Sequence, residues 1–177
     1  MTLCSMAIKI NVTAKDQEAL NQVLTGAGYA PTRRKFHCTL GFIDKMIPLE
    51  EVSSFGQAVV DELQSVINEE SPVYEVEKAV HLFKHVISFV PTIQSEESLK
   101  EINLWLWEKV QELSQNRWWL NEQTTPEKYK PHLTLGRARS PDRRFRKLEE
   151  FALTYPRYHL TQAAYVVFEG FGLQIKT

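Results

Sequence analysis

The chain has 177 residues, 43% of them hydrophobic, and its 21 basic and 22 acidic side chains leave a formal charge of −1. That length fills one well-buried domain rather than two, and the near-neutral balance excludes a protein that coats nucleic acid through bulk positive charge. Two cysteines, Cys4 and Cys38, make neither a disulfide framework nor a metal-ligand spacing, and no stretch reaches the roughly 18 apolar residues of a membrane span, so a cytoplasmic, membrane-free protein is the expectation.

Met6, Ile8, Ile10 and Val12 alternate with small or polar residues, the pattern of a half-buried strand, and 14–25 then reads as a short helix. The loop GAGYAPTRR leads into a strand at 36–43, and Pro48 opens a helix that runs to about 68 and exits at NEESP. Residues 73–81 and 85–90 read as two strands joined tightly near Phe83 and Lys84, with Pro91 closing the second. Leu99, Ile102, Leu106, Val110 and Leu113 recur at three and four residues, so the next element is a helix with one face on the core. A polar, irregular stretch at 116–130 precedes a strand at 131–137, a charged helix at 142–151 and a β-rich run at 157–168. The tight hairpin near 83–85 requires antiparallel pairing, which makes the class α+β.

Within this order one pattern occurs twice. FHCTLGF at 36–42 and PHLTLGR at 131–137 share His-x-Thr-Leu-Gly, a coincidence of roughly one in a thousand for a chain of this composition. The two histidines, His37 and His132, lie 95 residues apart, a spacing that fits two similar lobes with one motif each. Strand alternation sets His37, Thr39 and Gly41 on one face of the first strand and His132, Thr134 and Gly136 on one face of the second. Glycine at the end of each motif would then leave room for a ligand to approach backbone. Phe42 and Arg137 point the other way, and join the histidine face only if a bulge near Gly41 and Gly136 breaks the alternation.

A lone His-x-Thr is ordinary strand sequence, but two copies with the same continuation point to chemistry. Two imidazoles with ordinary pKa values of about 6.5 supply one neutral and one protonated partner near neutrality. Two threonine hydroxyls suit the non-bridging oxygens of a phosphodiester. No carboxylate cluster for a divalent ion accompanies them, so neither a metal nor an organic cofactor is expected.

These two motifs, with the strand, strand and helix at 73–115 between them, resemble those of the two-histidine (2H) phosphoesterases, the family that includes bacterial RNA 2',3'-cyclic phosphodiesterase. The resemblance implies one bilobal domain over 1–177, two pseudo-symmetric lobes of antiparallel sheet with flanking helices around a central cleft. It implies metal-independent opening of 2',3'-cyclic phosphates on nucleotides or RNA ends, with His37 as proton donor, His132 as acceptor, and Thr39 and Thr134 holding the phosphate. The residues alone leave the two histidine roles open. Phe42 and Arg137 match positions where the family often carries Phe and Arg, and Tyr129 and Phe83 join them as substrate-binding candidates able to stack on a base. A 2'-5' oligonucleotide phosphodiesterase and a non-catalytic nucleotide-binding module fit the same residues, and no obligate protein partner is evident.

Outside the motifs, Arg137, Arg139, Arg143, Arg144, Arg146 and Lys147 crowd positive charge after the second copy, either as a solvated helix face or as a surface steering a polyanion. Trp118 and Trp119 are stacking or packing residues, His81, His85 and His159 are read as incidental, and the interval 138–157 as a local elaboration.

Overall fold

A computed structural model describes the chain apart from residues 83–84, 139–142, 170–172 and 176–177, and gives backbone alone for 173–175. The elements are β1 (Leu3–Val12), α1 (Ala14–Ala27), β2 (His37–Pro48), α2 (Leu49–Glu70), β3 (Val73–Leu82), β4 (Val86–Pro91), α3 (Ile93–Leu113), β5 (Leu133–Arg137), α4 (Arg143–Thr154), β6 (Arg157–Glu169) and β7 (Leu173–Ile175), with a 3-10 turn at Glu122–Thr124. The order β-α-β-α-β therefore occurs twice, β1 to β3 and again β4 to β6. The charged helix after the second motif is the counterpart of α2, so reading it as a local elaboration is corrected.

The repetition reaches single residues. Thr13 and Thr92 cap α1 and α3, each in extended backbone with its hydroxyl accepting from the N–H three residues on, that of Asp16 and of Ser95. Such a cap satisfies an N–H that the first helical turn leaves without a partner.

Every described strand pair is antiparallel, in the order β1-β2-β5-β4-β3-β6-β7, and β6 also pairs with β1, so the strands close on themselves. Two three-stranded halves result. One has β1 between β2 and β6, the other has β4 between β5 and β3. They are joined at one seam by Cys38 opposite Leu133 and at the other by Val73–Glu75 against Arg157–His159.

One face of the first half is core. Cys4, Met6, Ile8 and Ile10 are fully buried with Cys38, Leu40 and Ile43, and α2 covers them with Val52, Phe55, Val59, Leu63 and Ile67. Burying a side chain of this size is worth about 1.5–3 kcal/mol, so this face sets the register, because a one-residue slip would turn the whole apolar set to water. The opposite face carries Lys9, Asn11, His37 and Thr39. Among the described residues, no helix is long and apolar enough to cross a membrane.

Candidate active site

The two motif strands lie side by side at the seam between the halves. Cys38 and Leu133, both fully buried, face each other in the antiparallel register. Continuing that register by one residue sets His37 against Thr134 and Thr39 against His132. Each histidine thereby stands across from the other motif's threonine, an arrangement with a local two-fold axis about the Cys38–Leu133 pair.

Both rings are oriented in the same way. His37 Nδ1 lies 2.9 Å from the carbonyl oxygen of Lys35 and His132 Nδ1 lies 3.2 Å from that of Lys130, each two residues back. Donation from Nδ1–H to that carbonyl leaves Nε2 of each ring to accept or deliver a proton.

A β-bulge sits at the same place in each copy. On β2, Lys9 faces Thr39 but Ile8 faces Gly41, so Leu40 is the extra residue. On β5, Ser88 faces Thr134 but Ile87 faces Gly136, so Leu135 is the extra one. A bulge resets the alternation, and the next pairs, Ala7 with Phe42 and Val86 with Arg137, return Phe42 and Arg137 to the histidine face. The same geometry overturns the expectation for Gly41. It turns into the core, where a Cβ would lie 2.7 Å from Leu120 Cδ2 and 2.9 Å from Leu106 Cδ2. Among the described residues, Gly136 borders open space, with no atom within 4 Å of a Cβ built there.

The bulge on β2 is held from behind by side chains that the sequence pattern did not mark. Asn103 of α3, fully buried, donates through Nδ2 to the carbonyls of Leu40 and Thr124 at 2.7 and 2.9 Å. Beyond the bulge, Phe42 N–H donates to Thr124 Oγ1 at 3.1 Å, and its carbonyl accepts from Asn121 N–H at 2.7 Å. The irregular stretch at 116–130 is thus a strap along the edge of β2. In the sequence Asn103 looks like a polar break in a helix, and only its burial reveals the role.

A cavity of about 380 Å³ opens beside the seam, bordered by His37, His132, Thr134, Gly136 and Arg137, with Arg34 and Lys35 at its rim. No Asp or Glu is among the described residues that border it, so its field favours an anion. Burial pushes His37 below the ordinary histidine range; the Lys35 carbonyl acts against this, and the charges of Lys9 and His132 add to it. Directly beneath, burial pushes the Cys38 thiol up to about 11, so it is a packing residue rather than a nucleophile.

Of the residues singled out from the sequence, His37, His132, Thr134 and Arg137 border this cavity. Thr39 shares the face but is not among the residues that border the cavity. Phe42 is half-buried on that face against Phe168, ring centroids 6.1 Å apart. Tyr129 is not presented to a ligand. It is 4% exposed, donates its hydroxyl to the Thr39 carbonyl at 2.7 Å and lies 3.6 Å from Cys38 Sγ, so it braces the first motif from the core side. Phe83 lies outside the described residues. Trp118 is buried edge-on against Phe55 and Trp119 is exposed; neither borders the cavity. Among the described residues no three His, Cys, Asp or Glu side chains gather in one group.

No protein-family model and no curated protein matches the chain. Among solved structures it is similar to E. coli LigT complexed with 3'-AMP, at 15% identity over 100% of this chain and 95% of that one, with a TM-score of 0.49. It is also similar to Kluyveromyces marxianus Usb1 with uridine monophosphate, at 12% identity over 97% and 96% of the two chains, with a TM-score of 0.43. At these values the likenesses carry no argument of their own; the site rests on register, bulges and burial.

Proposed function

We propose that this protein is a two-histidine phosphodiesterase that opens 2',3'-cyclic phosphates of nucleotides or RNA ends. The observation that carries this reading is the symmetric register of the two motifs about the Cys38–Leu133 pair, with both histidines and Thr134 bordering one cavity that also has Arg34, Lys35 and Arg137 in its lining. Phosphodiester hydrolysis needs these groups: a base, an acid and donors for the oxygens of phosphorus.

In this reading His132 Nε2 takes a proton from water as its oxygen bonds to phosphorus. The bond from phosphorus to one ribose oxygen breaks, His37 Nε2–H protonates that oxygen, and the product is a phosphomonoester beside a free hydroxyl. Thr39 and Thr134 donate to the non-bridging oxygens, and Arg137 faces the remaining negative charge. The burial that lowers the pKa of His37 makes its protonated form the stronger acid, and the bound phosphate offsets the cost of charging it. Every step uses side chains of the chain itself.

The test is a panel of nucleoside 2',3'-cyclic phosphates, a cyclic-ended RNA and 2'-5' oligoadenylate, assayed with a chelator present. Ring opening unaffected by chelator is expected, with His37→Ala and His132→Ala each losing a factor of about 10²–10⁴. Cleavage of oligoadenylate alone identifies a 2'-5' phosphodiesterase, and binding without turnover identifies a nucleotide-binding module. Either outcome refutes the reading.

A further inference from the structure

The face that carries the histidines continues across β2 onto β1. In that register Lys9 lies opposite Thr39 and Asn11 opposite His37, so both project on the histidine side, on the flank away from the cavity. Across an antiparallel pair the Cα atoms are about 5 Å apart, and a lysine stem spans that distance readily.

Lys9 is half-buried and forms no ion pair with a carboxylate among the described residues. Instead burial and the neighbouring charge of Lys35 push its pKa down, which marks a cation without a counter-ion. A second observation lies two residues along. Asn11 is 3% exposed and its Oδ1 has no hydrogen-bond partner, while its Nδ2 reaches Gln162 Oε1 only at 3.5 Å. Gln162 Oε1 also accepts from Lys35 Nζ at 3.3 Å, and no carboxylate among the described residues pairs with Lys9. An unpaired cation beside an open acceptor fits a ligand that brings both an anionic oxygen and a hydroxyl.

The other half shows that this charge is not demanded by the fold. Its counterpart of Lys9, the residue opposite Thr134, is Ser88, fully buried with its hydroxyl unpartnered. The local two-fold axis is thus broken by one cation on the Thr39 side. We propose that Lys9 is a further catalytic residue, its ammonium binding the phosphate oxygen held by Thr39 and stabilising the charge that builds there as the phosphorus is attacked. The proposal rests on the phosphodiesterase reading for its catalytic part, whereas the phosphate contact itself is independent of turnover.

The experiment uses the full chain, with inorganic phosphate as the probe, and compares wild type with Lys9→Met and Lys9→Arg. Phosphate affinity is read by calorimetry, and His37 is titrated by NMR of its ring carbon. Lys9→Met is expected to weaken phosphate binding roughly 10–100-fold, the range of one charge-assisted hydrogen bond. It is also expected to raise the pKa of His37, since the charge of Lys9 is among the groups that hold it down, while Lys9→Arg keeps both near wild type. The other charged groups about that ring, Lys35 just before β2, His132 just before β5, and Arg34 and Arg137 at the cavity, are the same in all three proteins, so the difference reports Lys9. Unchanged phosphate affinity in Lys9→Met overturns the proposal, and Lys9→Gln is read in its place if the methionine variant does not fold. Weakened binding with no turnover of any cyclic substrate by wild type refutes the phosphodiesterase reading and with it the catalytic role, leaving the anion contact.

Discussion

The two motif glycines offer a test of the bulge geometry, because one methyl group added at equivalent positions meets opposite surroundings. At Gly41 the new Cβ would lie 2.7 Å from Leu120 Cδ2 and 2.9 Å from Leu106 Cδ2, below any real contact, and both leucines are buried. Overpacking of this kind costs about 1–3 kcal/mol. Replacing glycine by alanine also restricts the unfolded chain, a gain of about 0.4–1 kcal/mol where the backbone tolerates it. Neither Gly41 nor Gly136 is among the described positions of positive φ, so that gain applies to both. Gly41→Ala is therefore expected to be destabilised by about 0.5–2 kcal/mol. Gly136→Ala, with nothing among the described residues within 4 Å of its Cβ, is expected to be stabilised by about 0.4–1 kcal/mol. The variants should differ by roughly 3–9 °C in Tm for a chain of this size, read by scanning calorimetry and urea denaturation. Equal losses in both would show that Gly136 is packed as closely as Gly41, and the open space beside the second motif would fall with that result.

Asn103→Leu removes both donors to the Leu40 and Thr124 carbonyls and should cost about 2–4 kcal/mol in urea denaturation; a loss under half of that would mean the strap bonds elsewhere. Tyr129→Phe leaves the Thr39 carbonyl without the hydroxyl that donates to it. It should cost about 1–3 kcal/mol and lower kcat more than KM rises, whereas a change in KM alone would make Tyr129 a substrate contact. The lowered pKa of His37 means that the folded protein binds fewer protons there than the unfolded chain. Its contribution to stability is thus full above the unfolded value of about 6.5 and is lost as pH falls through the folded value. His37→Gln should accordingly lose less stability than wild type between about pH 7 and pH 5, and parallel losses would remove burial as the cause. Activity should be bell-shaped in pH, with His37→Ala erasing the alkaline limb, since that limb reports the acid; loss of the acid limb instead would exchange the two histidine roles.

Much of this arrangement was legible in the chain because it depends on local period. Alternation of Met6, Ile8 and Ile10 marked β1, the stripe from Leu99 to Leu113 marked α3, and Pro48 marked the start of α2. The short β7 was not foreseen, since three residues carry too little period to be recognised. The recurrence of His-x-Thr-Leu-Gly named four of the site residues directly. It also framed the condition, a bulge at the motif's end, on which Phe42 and Arg137 depended.

What the sequence by itself determined is which residue types recur and which face each element buries, because side-chain period and apolar content are properties of a single segment. Pairing between segments was beyond it. That His37 meets Thr134 across the seam follows from Cys38 lying opposite Leu133, a register chosen by the burial of residues far apart in the chain. That Gly41 is packed while Gly136 is open follows from which helix and strap cover each half. Tyr129 passed for a stacking ring and Lys9 for an ordinary polar position in a strand, since burial and cross-strand neighbours are properties of the folded assembly. Only tertiary structure turned the tyrosine into a brace behind Thr39 and set the lysine, without a counter-ion, in front of it.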